Sequence, residues 1–315
     1  MRYFDRAAVA AALPPEALIE TLREAFRHEV HAPPRERHAL NTSEDRSLLL
    51  MPAWDSTHAF GVKLVSVYSQ NAARGLPAVN ACYVLFDGDD GSVRAVLDGT
   101  ELTLRRTGAA SALASSYLSR PDSRRLLMVG TGALAPHLVR SHCSVRPIDS
   151  IRIWGRSPAR ARDAVRELGG IADRIEATDD LRSAVQWADI ISCATLATDP
   201  LVLGDWLLPG QHLDLVGSFT TGMREADAHA LQRAKVFVDM RANAMADAGE
   251  LIQALESGIL RPSDILADLP ELTRGTHAGR SSTLDITLFK SVGHALEDLA
   301  AAQLVMASEP GMIRA

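Results

Sequence analysis

Hydrophobic side chains in the first hundred residues follow one helical pattern and several strand-like patterns. Residues 14–31 repeat apolar side chains at helical spacing, and Pro33-Pro34 ends this predicted helix. Its apolar face comprises Leu18, Leu22, Ala25 and Phe26. Four β-rich runs follow, and Asp87–Gly91 between the last two is a hairpin signal. The runs are Leu48–Met51, Phe60–Val67, Val79–Phe86 and Ser92–Leu97. We therefore expect a helix and a mostly antiparallel sheet.

The pattern changes after a predicted helix at Thr103–Leu118 and a break at Ser119–Asp122, where strand-like and helix-like runs begin to alternate. The strand-like runs are Leu126–Val129, Ile151–Trp154, Asp189–Ala194, His212–Val216 and Val236–Asp239. The helix-like runs are Leu134–Cys143, Pro158–Leu168, Leu181–Trp187, Glu225–Arg233 and Ala244–Ser257. Because parallel strands need crossover connections, this alternation predicts an α/β, doubly wound parallel sheet over residues 120–290. A last helix is predicted at Leu288–Met306.

Composition is typical of a globular protein. The 315 residues suffice for two domains, and 47% hydrophobic with 23% charged residues is far from the composition of disordered chains. A net charge of −6 with scattered Lys and Arg argues against nucleic acid as a partner. We find no apolar run long enough to span a membrane and no secretory segment. Cys82, Cys143 and Cys193 lack metal or redox spacing, so we expect a cytoplasmic protein without a metal site.

A glycine-rich turn follows the first strand of the alternating region. Leu126–Val129 runs directly into a GxGxxA pattern that ends at Ala135 and precedes a helix. In such turns the first glycine permits the tight bend, the second lets a pyrophosphate approach the backbone, and the third small residue allows close helix packing. Free N–H groups at the helix start favour phosphate. The turn therefore predicts a dinucleotide site, rather than a turn that binds nothing, at Gly130, Thr131, Gly132, Ala133 and Leu134.

The segment after the second strand favours NADP(H) over NAD(H). An NAD site usually carries Asp or Glu there to bind the ribose 2′-hydroxyl, whereas this chain reads Trp154-Gly155-Arg156-Ser157. Arg156 suits a 2′-phosphate, Ser157 can donate to it, and Arg160 lies one helical turn further on. The alternative is that both arginines are ordinary solvated surface.

Several blocks of sequence resemble the ornithine cyclodeaminase/mu-crystallin family over nearly the whole chain. They are Gly61–Val65 with Gly75–Pro77, Leu97–Gly99 with Arg106–Ser111, the glycine turn with Trp154–Ser157, Thr195–Pro200, and Phe289–Gly293 with Glu297-Asp298. The resemblance implies a Rossmann domain, residues 120–290, inserted into an α+β substrate-binding and dimerisation domain made of 1–119 and 291–315. It also implies hydride exchange between a nicotinamide cofactor and a small imino or amino acid, and a homodimer.

The same resemblance implies roles for single residues. Arg35 matches the family's substrate-carboxylate arginine, Lys63 its substrate lysine, and Arg106 a cofactor-contacting arginine. Lys63 is also expensive to bury unless it is paired, and we assign proton donation to it or to an ordered water. Ser291 and Val292 match the last cofactor and substrate contacts. Further cofactor contacts are expected after later strands, where doubly wound folds bind their ligands, at Thr195, Gly217 and Ser218.

Three departures from the family pattern bear on the reaction. Phe219 stands where cyclodeaminases carry an acid, Ala78 replaces a threonine and Leu134 replaces a glutamine. Because phenylalanine cannot shuttle a proton, the first change argues against cyclisation of ornithine with loss of ammonia. We therefore expect an NADPH-dependent reductase of cyclic ketimines such as Δ1-pyrroline-2-carboxylate or Δ1-piperideine-2-carboxylate. The alternatives are a cyclodeaminase or amino-acid dehydrogenase on the same scaffold, and a non-catalytic NADPH-binding protein resembling mu-crystallin.

Overall fold

The computed structural model describes residues 1–41, 46–55 and 59–308, without the side chains of residues 69, 72 and 73. Its strands are β1 (Arg2–Phe4), β2 (Val30–His31), β3 (Glu36–Asn41), β4 (Arg46–Asp55), β5 (Ala59–Tyr68), β6 (Val79–Asp87), β7 (Val93–Asp98), β8 (Arg125–Val129), β9 (Ser150–Trp154), β10 (Arg174–Thr178), β11 (Ile190–Cys193), β12 (His212–Leu215), β13 (Lys235–Val238), β14 (Ile265–Asp268) and β15 (Thr287–Lys290). Its helices are α1 (Arg6–Ala12), α2 (Pro15–Ala25), α3 (Gly99–Leu118), α4 (Ala135–Val145), α5 (Pro158–Glu167), α6 (Leu181–Trp187), α7 (Ala228–Arg233), α8 (Arg241–Asp247), α9 (Gly249–Glu256), α10 (Leu269–Thr273) and α11 (Ala295–Ala307).

The chain divides into two compact units. The first contains Met1–Arg106 and the chain from His294 onward, and the second contains Thr107–Gly293. The sequence pattern predicts the first boundary later, at 119/120, and the second slightly earlier, at 290/291. Residues 309–315 of the predicted segment 291–315 lie outside the described residues. Within the described ranges no helix is long and apolar enough to cross a bilayer.

The first unit is built on a sheet with strand order β1-β7-β6-β5-β4-β2, in which β3 also pairs with β4. Its neighbours are antiparallel except β1 and β7, which run parallel. The predicted hairpin joins β6 to β7, and Gly91 at its end takes a positive φ of 73°. Helix α2 begins at Pro15, a favourable first position, and buries Leu18, Ile19 and Leu22. The antiparallel prediction is therefore confirmed for most of this sheet.

The second unit is built on an eight-stranded parallel sheet with the order β10-β9-β8-β11-β12-β15-β13-β14. All of its described pairs are parallel. Strand order reverses between β8 and β11, because β9 and β10 extend the sheet on one side while β11 and β12 extend it on the other. Crevices at such a switch point, outside the carboxyl ends of the strands, are where doubly wound sheets bind ligands. The predicted fold class is confirmed.

The apolar run of β8 reflects burial on both faces of this sheet. Leu127 and Val129 pack into one core layer, while Leu126 and Met128 pack into the other. Strands covered on both faces have no polar side to present, so their sequence is continuously apolar instead of alternating.

Some element boundaries differ from those expected from the sequence. The helix predicted at 14–31 ends at Ala25, because Val30–His31 pairs with β4 instead. The start of the predicted helix Leu288–Met306 is strand β15, between β12 and β13, and α11 begins only at Ala295. Short apolar runs fit a buried strand as well as a helix, so spacing alone could not separate the two. Strands β10 and β14, at the two edges of the parallel sheet, were not predicted.

Candidate functional site

The glycine turn lies at the switch point of the parallel sheet. The N–H of Gly130 donates to the carbonyl of Trp154 at 2.9 Å, which joins the ends of β8 and β9. Gly130 has a φ of 126°, and a Cβ there would lie 2.5 Å from the carbonyl oxygen of Ala194. Only glycine fits this position. A Cβ on Gly132, by contrast, would meet nothing within 4 Å, so the second glycine faces open space.

A cavity of about 780 Å³ opens at this turn. It is lined by Gly130, Thr131, Gly132, Trp154, Gly155, Arg156, Ser157, Arg160, Ala194, Thr195, Leu196, Ala197, Thr198, Asp199 and Leu201. Its volume falls within the range of roughly 300–1,000 Å³ that is typical of ligand and cofactor sites. The start of α4 at Ala135 follows the turn, where helix N–H groups favour an anion. Open space at the second glycine and a helix start behind it fit the diphosphate of a dinucleotide.

Two exposed cations stand at the cavity wall beyond β9. Arg156 and Arg160 are both exposed, and neither forms an ion pair with any residue that the structure describes. Ser157 between them caps α5, since its side chain accepts from the N–H of Arg160 at 3.4 Å. Unpaired guanidinium groups beside a cavity are suited to an anionic ligand group.

The structure brings most predicted cofactor residues together, and it adds some that the sequence analysis did not assign. Ala133 and Leu134 belong to the turn but do not line the cavity, and neither do Gly217, Ser218 and Ser291. Arg106 does not line it either, and bonds to two acids of the first unit. The added residues come mainly from the loop after β11, whose signal was the block Thr195–Pro200. They are Trp154, Ala194, Leu196, Ala197, Thr198, Asp199 and Leu201.

Residues after β12 and β15 are held by carboxylates of the second unit. The N–H of Gly217 donates to Glu225, and the N–H of Val292 donates to Asp239 at 2.8 Å. The N–H of Ser291 donates to the carbonyl of Leu215 at 3.1 Å. Sequence reasoning singled out neither Glu225 nor Asp239, because no local pattern links either acid to the loop that it holds.

Lys63 occupies the buried face of β5 in the first unit. Burial alternates along this strand, and Lys63 shares its buried positions with Ala59, Gly61 and Val65. The side chain is only 2% exposed. Its Nζ lies 2.8 Å from both carboxylate oxygens of Asp298, at the start of α11. A lysine inside an apolar strand is thus compensated by a buried ion pair.

A second cation shares the same carboxylate. Arg106 donates from Nε to Asp298 at 3.0 Å and from Nη1 to Glu297 at 2.6 Å. We call Lys63, Arg106, Glu297 and Asp298 the Lys63 cluster; all four are buried. Both acids lie in the first turn of α11, where the helix dipole favours negative charge. The two acids were part of a family-like block but had not been assigned to the site.

Burial changes the chemistry of the lysine. The pKa of Lys63 is lowered to about 8, first by burial and then by Arg106, while Asp298 opposes the shift. An amine with a pKa of about 8 is mostly protonated at neutral pH, yet it releases its proton far more easily than an ordinary lysine. Such an amine is suited to general acid catalysis.

Arg35 and Phe219 are not among the residues that line the cavity. Arg35 is half-buried in the loop between β2 and β3. Phe219, after β12, is 39% exposed. The described residues contain no group of three or more His, Cys, Asp or Glu arranged to hold a metal ion.

A parallel sheet with a glycine turn at its switch point defines a Rossmann-type protein. The sequence matches the model of the ornithine cyclodeaminase/mu-crystallin family over residues 5–309, and the chain belongs to that family. It is 40% identical to a Δ1-pyrroline-2-carboxylate reductase of Paracoccus denitrificans, over 86% of this chain and 89% of that protein. It is 32% identical to the ketimine reductase mu-crystallin of Rattus norvegicus, over 81% and 78% of the two chains.

A solved structure agrees with these relatives. The Δ1-pyrroline-2-carboxylate reductase of Thermococcus litoralis, in complex with NADH and L-proline, matches with a TM-score of 0.94 at 31% identity. The match covers 98% of this chain and 97% of that chain. The resemblance drawn from the sequence blocks is therefore confirmed.

Proposed function

We propose that this protein is an NADPH-dependent reductase of small cyclic ketimines of the Δ1-pyrroline-2-carboxylate or Δ1-piperideine-2-carboxylate type. The observation that carries the proposal is the buried Lys63–Asp298 pair, which supplies a proton donor with a pKa of about 8. The cavity at the glycine turn and the reductase relatives support it. Fold alone would not, since one scaffold can carry several activities.

The nicotinamide cofactor, when bound, supplies the hydride. We assign its diphosphate to the turn at Gly130–Gly132, and its 2′-phosphate to Arg156, Ser157 and Arg160. Thr195, Gly217, Ser218, Ser291 and Arg106 are the remaining proposed cofactor contacts. These residues bind and orient, and orientation of a bound pair can account for a large part of a rate enhancement.

The residues of the first unit act on the substrate and its proton. As the imine carbon accepts a hydride, the electron pair of the C=N bond moves to nitrogen, which takes a proton from Nζ of Lys63. The product is the cyclic secondary amine, and Lys63 is left neutral until solvent returns a proton to it. Asp298 holds the lysine in place. We assign the substrate carboxylate to Arg35, and a further substrate contact to Val292 of the second unit.

Phe219 favours reduction over cyclodeamination. Loss of ammonia from ornithine requires proton transfers at two nitrogens, whereas reduction of a preformed imine requires one. The aromatic side chain at position 219 can perform none. One buried amine with a lowered pKa therefore matches the simpler reaction.

A substrate panel tests the reaction. We expect oxidation of NADPH with Δ1-pyrroline-2-carboxylate or Δ1-piperideine-2-carboxylate, and no ammonia from ornithine. Proline and ammonia formed from ornithine would contradict the proposal in favour of a cyclodeaminase. Deamination of alanine in place of imine reduction would favour a dehydrogenase. Tight NADPH binding with no imine turnover would favour a non-catalytic binding protein.

Replacing Arg156 with Asp tests the cofactor preference. Loss of one charge-assisted contact should weaken NADPH relative to NADH by roughly 10- to 100-fold. Arg162→Asp is the matched control, because Arg162 is exposed on α5, the helix that follows Arg156, but does not line the cavity. An unchanged ratio in the Arg156 variant would show that the 2′-phosphate is bound elsewhere.

We also propose that the protein is a homodimer formed through the sheet of the first unit. Large apolar side chains are exposed there, with Leu40 on β3 at 54% and Trp54 on β4 at 43%. Contact with a second copy would remove such apolar surface from water. Sedimentation of the purified protein as a monomer at micromolar concentration would contradict this assignment.

A further inference from the structure

Glu225 joins the two loops that follow β11 and β12. Glu225 belongs to the segment of chain between β12 and α7, and its side chain is fully buried. Oε1 accepts from the N–H of Thr195 at 2.6 Å and from its hydroxyl at 2.8 Å. Oε2 accepts from the N–H of Gly217 at 2.7 Å. One carboxylate thus holds both of these strand ends with three short hydrogen bonds.

The backbone of Glu225 holds the far end of the same cavity loop. Its carbonyl accepts from the N–H of Leu201 at 2.9 Å and from that of Val202 at 3.0 Å. Because Thr195 and Leu201 both line the cavity, the wall between them is attached to Glu225 at each end.

The loops at Thr195 and Gly217 pack closely against each other and against this carboxylate. A Cβ on Gly217 would collide with the backbone of Thr195, and would lie 2.6 Å from Oε1 of Glu225. The backbone N–H groups of Thr195 and Gly217 both donate to this one buried carboxylate. Without it, the buried N–H of Gly217 and the half-buried N–H of Thr195 would lose their acceptor, which is costly.

Two further charges support Glu225. Its N–H donates to Oε1 of Glu250 on α9 at 2.9 Å, and Oε2 of Glu250 lies 3.5 Å from Nζ of Lys290 on β15. We call Glu225, Glu250 and Lys290 the Glu225 cluster; each is at most 4% exposed. Burying two carboxylates with one ammonium costs stability. This arrangement is therefore consistent with a role other than stabilising the fold.

We propose that Glu225 is a positioning residue that shapes the nicotinamide half of the cofactor site by holding the loops at Thr195 and Gly217. This inference rests on the proposed function, since it concerns the same dinucleotide cavity. Glu225 does not line the cavity itself, so its effect on the cofactor passes through those loops. The adenosine half, assigned to Arg156 and Arg160, should not depend on it.

The charge state of Glu225 is sensitive to pH near neutrality. Burial raises its pKa to about 7, a shift that Lys290 opposes and Glu250 reinforces. The facing groups are Glu250 on α9, Lys290 on β15, the Cys193 thiol on β11, and the donors of Thr195 and Gly217. A proton on either oxygen removes an acceptor that one of the loops uses. The loops should therefore be held best above pH 7.

Glu225→Gln tests the inference with two ligands on the full-length protein. A glutamine keeps the size of the side chain, but its NH₂ group must face one of the two loop donors. We expect NADPH to bind roughly tenfold more weakly, as for the loss of a hydrogen bond to a charged group. Adenosine 2′,5′-bisphosphate, which carries only the adenosine half, should bind as it does to the unchanged protein. Glu176→Gln, at the edge strand β10, is the matched control and should change neither affinity.

The outcomes separate this inference from the proposed function. If the unchanged protein binds neither NADPH nor NADH, the proposed function fails. If it binds NADPH and Glu225→Gln binds it equally well, only the role of Glu225 fails. If both ligands bind equally more weakly, Glu225 stabilises the whole second unit and not the nicotinamide half in particular.

A second measurement needs no variant and covers the case in which Glu225→Gln does not fold. The affinity of the unchanged protein for NADPH, divided by that for 2′-phospho-ADP-ribose, should fall as the pH drops below about 7. Ligand titration cancels in this ratio, because both ligands carry the 2′-phosphate and a diphosphate diester, and only NADPH carries the nicotinamide. A ratio that stays constant between pH 6 and pH 8 would overturn the inference.

Discussion

The Lys63 cluster of the first unit and the Glu225 cluster of the second are both buried, and they satisfy their charges differently. In the Lys63 cluster, two cations face two carboxylates at 2.6–3.0 Å. In the Glu225 cluster, two carboxylates share one ammonium, and Nζ of Lys290 has no hydrogen-bond partner among the described residues. Glu225 instead bonds to backbone N–H groups and a hydroxyl.

The two clusters also differ in the direction in which burial shifts the pKa of their central group. Burial lowers the pKa of Lys63 to about 8 and raises that of Glu225 to about 7. Both shifts bring a buried group close to neutral pH, but from opposite directions. In the proposed reaction the first cluster donates a proton to the substrate, while the second uses a carboxylate to hold protein backbone. A perturbed pKa marks a candidate functional group, and the neighbours decide which function it serves.

Replacing Lys63 with Met should give the largest effect, because the proposed reaction then loses its acid. We expect the turnover of the imine to fall by about 10²- to 10⁴-fold, the usual contribution of general acid catalysis. NADPH oxidation measures this turnover. Lys235→Met, on β13 and outside both clusters, is the control. Turnover within tenfold of the unchanged protein would transfer proton donation to an ordered water.

Removing a carboxylate should cost more stability in the Lys63 cluster than in the other. Asp298→Asn leaves Lys63 and Arg106 short of one buried negative charge, which should cost about 3–5 kcal/mol of unfolding free energy. Glu250→Gln keeps an acceptor for the N–H of Glu225 and relieves the repulsion between two acids. We therefore expect it to lower the unfolding free energy by only about 1 kcal/mol. Urea denaturation measures both. Equal losses would remove the distinction between the clusters.

The pH profile of imine reduction should follow Lys63. Since its pKa is lowered from 10.5 to about 8, the donor is present below pH 8 and is lost as the pH rises through that value. The kcat/KM for the imine, which reports the groups of the free enzyme, should be level near pH 7 and fall about tenfold per unit well above pH 8. A profile that remains level up to pH 10 would show that Lys63 is not the acid.

Tyr83→Phe should give the smallest effect. The hydroxyl of Tyr83 is buried without a hydrogen-bond partner among the described residues, and burial raises its pKa well above the ordinary value. Removing an unsatisfied hydroxyl should leave the unfolding free energy unchanged or raise it by about 1 kcal/mol. Turnover should stay within twofold of the unchanged protein. A large loss of turnover would add the phenol to the proton path next to Lys63.

Local patterns in the sequence were sufficient to predict the fold class of the second unit and its glycine turn. The GxGxxA pattern, the strand before it and the cations after β9 are each read within a few residues, and the turn and the cations line one cavity. The same locality explains the errors, since the short run at Leu288–Lys290 fits either a helix or a strand until its neighbours are known.

The sequence by itself determined the alternation of strands and helices, the glycine turn and the family, because these depend on residue order over short spans. Only the tertiary structure decided which buried charges meet. Asp298 lies 235 residues from Lys63, and Glu225 lies 30 residues from Thr195. Ion pairs and hydrogen bonds depend on distance in space, and folding, not spacing along the chain, sets that distance. The acids that complete both clusters therefore became visible only in the folded protein.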